Sequence, residues 1–251
     1  ISGVSVTDSK FDLRDHGLVT SVKNQETTGA CWAFATNASI ESNLLINNQG
    51  TYDLSEAHLE LALQSTHDYG RTTFARKIDS GGNYLMSQAY LMNGWGPVEE
   101  TYLPFSRLLN LYDNKDTIES DLVTKNKAAL DINASVMLGN EGACNEATIE
   151  DIKEYLISEG ALATTMYLDP YYSRKEYLLY DGKSYVNLND ETVDADQSIN
   201  HAVTIIGWDD NVSKDSFDVT NKPQNNGAWI IKNSYGEKVF IETLEDFKNL
   251  A

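Results

Sequence analysis

The sequence predicts an α+β chain of two lobes, and a change in hydrophobic period along the chain is what predicts it. Up to about residue 120, apolar residues recur at helical spacing; beyond it, apart from one helix, the apolar runs are short and rich in β-branched and aromatic residues. With 251 residues and 41% hydrophobic content, the chain can bury a substantial core as one large domain or two lobes.

The first predicted helix covers residues 31–45, with Phe34, Ala35, Ala38 and Leu45 on one side. A second covers 54–63, with Ser55 at its N-cap. A third runs over 84–92, opened by Gly81-Gly82 and ended by Gly94 and Gly96. A fourth spans Ile149 to Ser158. Strands are predicted at 161–168, 202–208 and 228–232, separated by polar stretches at 187–200 and 209–226. No internal repeat or low-complexity segment interrupts this order.

The formal net charge of −19 gives a surface that repels phosphate backbones and anionic lipid heads. Nucleic-acid and membrane-surface partners are therefore not expected. No apolar run approaches the 18 or so residues of a membrane span. The first residues show neither a basic n-region nor an apolar h-region. The two cysteines, Cys31 and Cys144, are too few for a disulfide-stapled small domain. His16, His58, His67 and His201 lack metal-ligand spacing with them, so no metal and no cofactor is expected.

A thiol is a useful nucleophile only as thiolate, and Cys31 opens a helix, where backbone N–H groups favour negative charge. A cysteine opening a helix is more often a small buried hydrophobe. Its neighbours argue otherwise: within Gly29-Ala30-Cys31-Trp32 the cysteine lies six residues after Gln25, Asn200-His201-Ala202-Val203 opens a strand, and Lys232-Asn233-Ser234-Tyr235-Gly236 follows another. The order Cys, His, Asn, each with its neighbours, resembles the papain-like cysteine peptidases, whose nucleophile signature is C-G-[SA]-C-[WY]. The likeness begins at Asp12-Leu13-Arg14 and takes in Leu54-Ser55-Glu56, Ser80-Gly81-Gly82 and Tyr102-Leu103-Pro104-Phe105.

That resemblance implies a papain-like two-lobed fold, with a helical lobe over about 16–118 and a β-barrel-like lobe over about 119–251 plus the N-terminal strand 1–15. The active cleft would lie between them. It implies Cys31 as nucleophile, His201 as acid/base, Asn233 orienting the imidazole, Gln25 in the oxyanion hole and Tyr235 shielding the His–Asn bond in place of a tryptophan. It places Gly81, Gly82, Asn83, Tyr84, Thr165 and Ala202 along the substrate, with small or apolar residues favoured in the second subsite. It further implies a polypeptide substrate, an inhibitory propeptide, secretion or cell-surface display, and a monomer.

Departures from the family pattern are local. Thr28 and Asp79 stand where a disulfide pair is usual, the segments around 110–142 and 187–200 read as insertions, and the chain after Gly236 follows no family pattern. Glu41 falls on the apolar face of the first helix, and by resemblance would share a proton with Glu56. Two other readings fit the same residues: a catalytically silent binding protein on this fold, and another Cys-His acyl transferase or amidase.

Overall fold

The computed structural model describes residues 1–64, 76, 80–113, 115, 117–124, 130, 147–166, 200–216 and 225–236. Its elements run in the order β1 (Lys10–Asp12), α1 (Cys31–Ile46), α2 (Glu56–Ala62), α3 (Tyr84–Met92), α4 (Phe105–Tyr112), α5 (Ser120–Thr124), α6 (Ile149–Ser158), β2 (Leu162–Met166), β3 (His201–Asp209) and β4 (Ala228–Lys232). The predicted helices and strands all appear, with bounds shifted by a residue or two where they are described. The helices α4 and α5, eight and five residues long, are additions to the predicted set.

Local chemistry accounts for the helix starts. Ser55 accepts the His58 N–H to cap α2, Asn83 accepts the Met86 N–H to cap α3, and Thr148 and Asp151 form a reciprocal capping box on α6. The start of α1 is different. Ala30 offers no side-chain cap and the first turn holds no acidic residue, so the N–H groups around Cys31 are not spent on a capping oxygen.

The long strand β3 organises the sheet. Antiparallel β2 lies beside its first half, with Leu162 opposite Ile205 and Met166 opposite His201, and β1 beside its second half, with Phe11 opposite Trp208. On the other edge β4 pairs with Thr204 to Asp209 across a bulge between Ile205 and Gly207. A Cβ on Gly207 would stand 2.2 Å from the Phe11 carbonyl oxygen, so only glycine lets β1 approach the bulge. The described strands form an open sheet of four strands.

Two buried cores meet at α1. One joins Trp32, Phe34, Leu59, Leu61, Tyr90, Leu103 and Leu108 of the helices; the other joins Phe11, Leu13, Leu156, Ile205, Trp208 and Ile230 around the sheet. The helix is buried on most of its circumference, and Ala35, Ala38, Ser39 and Ser42 are small enough for the sheet side to close on it. Ser39 Oγ donates to the Ala161 carbonyl at 2.7 Å and Ser42 Oγ to the Leu18 carbonyl at 2.7 Å.

Glu41 is fully buried on α1, as helix geometry required, but its partner is not a carboxyl sharing a proton. The Lys23 ammonium stands between the two carboxylates, 3.0 Å from Glu41 Oε1 and 3.0 Å from Glu56 Oε1, and it also reaches the Leu54 carbonyl and Asp53. Burial opposes the charge on Lys23, but Glu56 and Glu41 outweigh it and hold its pKa above the ordinary lysine value. Glu56 shares that single cation with two other carboxylates. Burial first, and the Glu41 charge after it, push its pKa up to about 8 despite Lys23.

A carboxyl raised this way binds its proton more tightly folded than unfolded, so stability falls as pH rises from about 4.5 to about 8. The slope from one such group approaches about 1.4 kcal/mol per pH unit. Urea unfolding of Glu56→Gln across this range should show a visibly flatter pH dependence than the parent chain. Parallel curves for the two proteins would contradict the assignment.

Candidate active site

The nucleophile candidate sits where α1 meets β3. Cys31 opens α1 and packs against the core that includes Ala202, and the thiol is free. Burial pushes the thiol pKa up, the backbone N–H groups of Ala202, Trp32 and Cys31 pull it down, and the Glu60 carboxylate adds a smaller upward push. His201 opens β3 opposite Met166, and Ala202 follows it opposite Thr165. Cys144, the other cysteine, lies outside the described residues.

The side chain of His201 is buried, and its Nε2 lies 2.8 Å from Asn233 Oδ1. The same Oδ1 accepts the Ser234 backbone N–H at 2.7 Å. A backbone N–H can only donate, so the atom facing the ring is the carboxamide oxygen, and Nε2 must carry the hydrogen. That tautomer leaves Nδ1 with its lone pair. Burial pushes the imidazole pKa below the ordinary histidine value, and the Asn233 bond opposes this. Tyr235 stacks on the ring with centroids 5.0 Å apart and planes 25° apart, so it covers an imidazole face.

Gln25 is pinned to the asparagine segment twice over. Its backbone N–H donates to the Ser234 carbonyl at 2.8 Å, and Ser234 Oγ donates to Gln25 Oε1 at 2.6 Å. Its Nε2 gives one hydrogen to the Thr28 carbonyl at 2.6 Å, which fixes the amide plane and leaves the second hydrogen of the same nitrogen. Ser234 was not singled out from sequence. Its role depends on a partner 209 residues away in the chain.

The expected substrate-side residues fall into two groups. On the helical side, Gly81 to Asn83 are exposed, and a Cβ on Gly82 would lie 2.3 Å from the Trp32 ring, so glycine lets this backbone rest on the indole. The Asn83 side chain is engaged as the α3 cap. Tyr84 reaches across to the sheet, its hydroxyl donating to the Thr164 carbonyl at 2.5 Å. On the sheet side, Thr165 and Ala202 are cross-strand neighbours, Thr165 exposed and Ala202 buried. No group of three or more metal-ligating side chains occurs among the described residues.

A thiol at an uncapped helix start and an imidazole that a carboxamide holds in one tautomer are side chains of the kinds a thiol hydrolase uses, carried here on a helix-plus-sheet fold. A family model described as papain family cysteine protease matches residues 7–245, and the chain belongs to that family. It is 25% identical to cysteine proteinase 1 of Dictyostelium discoideum over 227 residues, covering 90% of this chain and 56% of the relative. It is 28% identical to cathepsin K of Mus musculus over 233 residues, 92% of this chain and 56% of that protein. Among solved structures it is similar to the cysteine protease and lectin-like domains of Cwp84, a surface layer associated protein of Clostridium difficile. That match has a TM-score of 0.65 and 27% identity, over 93% of this chain and 46% of the other. Digestive procathepsin L 3 of Tenebrio molitor shares the fold at a TM-score of 0.55 and 19% identity, over 94% of this chain and 62% of that one. The chain spans about half the length of these two curated relatives.

Because the Asn233 bond favours the protonated ring, Asn233→Ala should lower the His201 pKa further below its ordinary value. A nitrogen-detected NMR titration of the imidazole checks this. An unchanged or higher pKa in the variant would show that the bond does not orient the ring as described.

Proposed function

We propose that the chain is a cysteine endopeptidase that cleaves peptide bonds through a thioester on Cys31. The observation that carries this reading is the double use of Asn233 Oδ1. It holds the hydrogen on His201 Nε2 and leaves the Nδ1 lone pair for the base that this reading assigns to Cys31. The thiol gives its proton to Nδ1 and the sulfur attacks the substrate carbonyl carbon. The oxyanion that forms is met by the backbone N–H of Cys31 and the second amide hydrogen of Gln25. His201 then protonates the leaving amine, the C–N bond breaks, and the ring takes a proton from water as it attacks the thioester.

Burial favours a neutral thiol and a neutral imidazole in the free enzyme, since it pushes one pKa up and the other down. Proton transfer between them therefore draws on the backbone N–H groups around sulfur and on charge complementarity once the ion pair forms. The cleft in this reading runs between the helical part, about 16–118, and the β-rich remainder. Gly81, Gly82, Asn83 and Tyr84 lie on one bank, with Thr165 and Ala202 on the other. The uncharged lining favours small or apolar side chains in the second subsite.

Export as an inhibited precursor and action as a monomer belong to the same proposal. Export and a propeptide are supported by likeness to a surface layer associated protein, to a clostridial cysteine protease solved after propeptide cleavage, and to a procathepsin. No helix among the described residues is long and apolar enough to cross a membrane.

Cys31→Ala should fold and lose peptide hydrolysis by at least about 10⁴-fold, as removal of a nucleophile does. Gln25→Ala should lose about 10²–10³ in kcat, as for a missing oxyanion donor. A peptidyl epoxide should label Cys31, mapped by mass spectrometry. Binding of peptides without turnover or label would favour the silent binder, and amine incorporation without hydrolysis the acyl transferase. Full activity in Cys31→Ala would refute the mechanism.

A further inference from the structure

Arg76 lies in the helical part with only 4% of its surface exposed, and its guanidinium serves three places at once. Nη2 donates to Glu60 Oε2 at 2.6 Å and Nη1 to the Glu60 carbonyl at 3.0 Å, both on α2. Nε donates to the Gly81 carbonyl at 3.2 Å. The cation also stands 5.1 Å from the centre of the Trp32 ring, whose Nε1 donates to the other Glu60 oxygen at 3.1 Å. The indole that carries Gly82 on one side is thus tied to the ion pair that carries Gly81.

Stability alone does not call for this arrangement. A buried ion pair commonly breaks even against apolar packing, because desolvation offsets the attraction. What the planar fork supplies is direction: its N–H groups are fixed relative to one another, so anchoring two on Glu60 aims the third at Gly81. Gly81 has φ +25° and no side chain with which to fix itself. The exposed backbone it begins runs beside Trp32, the residue next to the thiol. A main chain that binds another main chain must be held still beforehand, or the cost of ordering it comes out of the affinity.

We propose that Arg76 is a positioning residue for the substrate. Clamped on Glu60, it holds the Gly81–Gly82 backbone as a ready edge beside Cys31, against which an extended peptide hydrogen-bonds. It acts through Gly81 and touches neither the substrate nor the reacting atoms. The proposal rests on the reading of Cys31 as the nucleophile of a peptidase.

Arg76→Lys is the test, because lysine keeps the charge for Glu60 but its single nitrogen cannot also serve Gly81. All rates are taken per Cys31 titratable by active-site reagent. The substrate carries several residues before the scissile bond, and iodoacetamide, which has no peptide main chain to align, reports on the thiol alone. Loss of one charge-assisted hydrogen bond from the binding edge should raise KM about tenfold with kcat within about twofold. The iodoacetamide rate should stay that of the parent enzyme.

Glu60→Gln keeps the Nε contact while weakening the clamp and removing a small upward push on the Cys31 pKa, so it should raise KM by less without lowering the iodoacetamide rate. It also carries the test if Arg76→Lys does not fold. A KM per active site equal to the parent value in both variants would overturn the proposal, as would alkylation and kcat/KM falling together. Either result would leave Arg76 a structural residue. A folded parent chain that hydrolyses no peptide would instead sink the peptidase reading, so the two failures are told apart by the parent enzyme alone.

Discussion

The ammonium of Lys23 gathers three segments of the helical part at one buried point. It draws Glu41 of α1, Glu56 of α2 and the Leu54 carbonyl to one point in the interior. Thr20 continues the chain of contacts by donating to Glu41 Oε2, and Lys232 donates to Thr20, which brings in the end of β4. Asn233 follows Lys232, and Gln25 follows two residues after Lys23. A buried polar network of this kind is unforgiving, since removing one member leaves charges without water or partner. That is why the segments bearing Gln25 and Asn233 keep a fixed relation to the helix bearing Cys31.

A second constraint acts at the thiol itself. The site lies deep enough for burial to disfavour both the thiolate and the imidazolium, and the compensating groups are mostly backbone. The N–H groups of Ala202, Trp32 and Cys31 pull the thiol pKa down against burial, and the Ser234 N–H settles which atom of Asn233 meets the ring. Backbone donors have fixed directions and lose no side-chain entropy in acting, so they are suited to stabilising charge that appears only during reaction. The side chains around them are small or already committed. Thr28 Oγ1 donates to the Gln25 carbonyl, so the residue standing where a disulfide cysteine is usual takes part in holding the oxyanion segment.

Much of this was legible beforehand because it rests on local rules. The period of α1, the Ser55 and Asn83 starts of α2 and α3, and the β-branched runs of β3 and β4 follow from short-range sterics and capping. The segments carrying Gln25, Cys31, His201 and Asn233 carry their own neighbours as signatures. Glu41 could be placed on a buried face by counting turns. Its partner could not, because Lys23 reads as an ordinary surface lysine until α1 and α2 close over it. Arg76 gave no signal either; nothing near it in sequence marks a residue that will pair with Glu60, 16 positions earlier.

Sequence alone therefore determined the fold class, the order of elements and the residues that could do chemistry, since these depend on periodicity, caps and short motifs. Tertiary structure alone decided which charges pair in the interior, which tautomer His201 holds, and that Ser234 and Arg76 brace the site. The physical reason is common to these cases. Ion pairing and hydrogen-bond direction are set by distances of a few ångströms between residues far apart in the chain, and no local pattern encodes such distances.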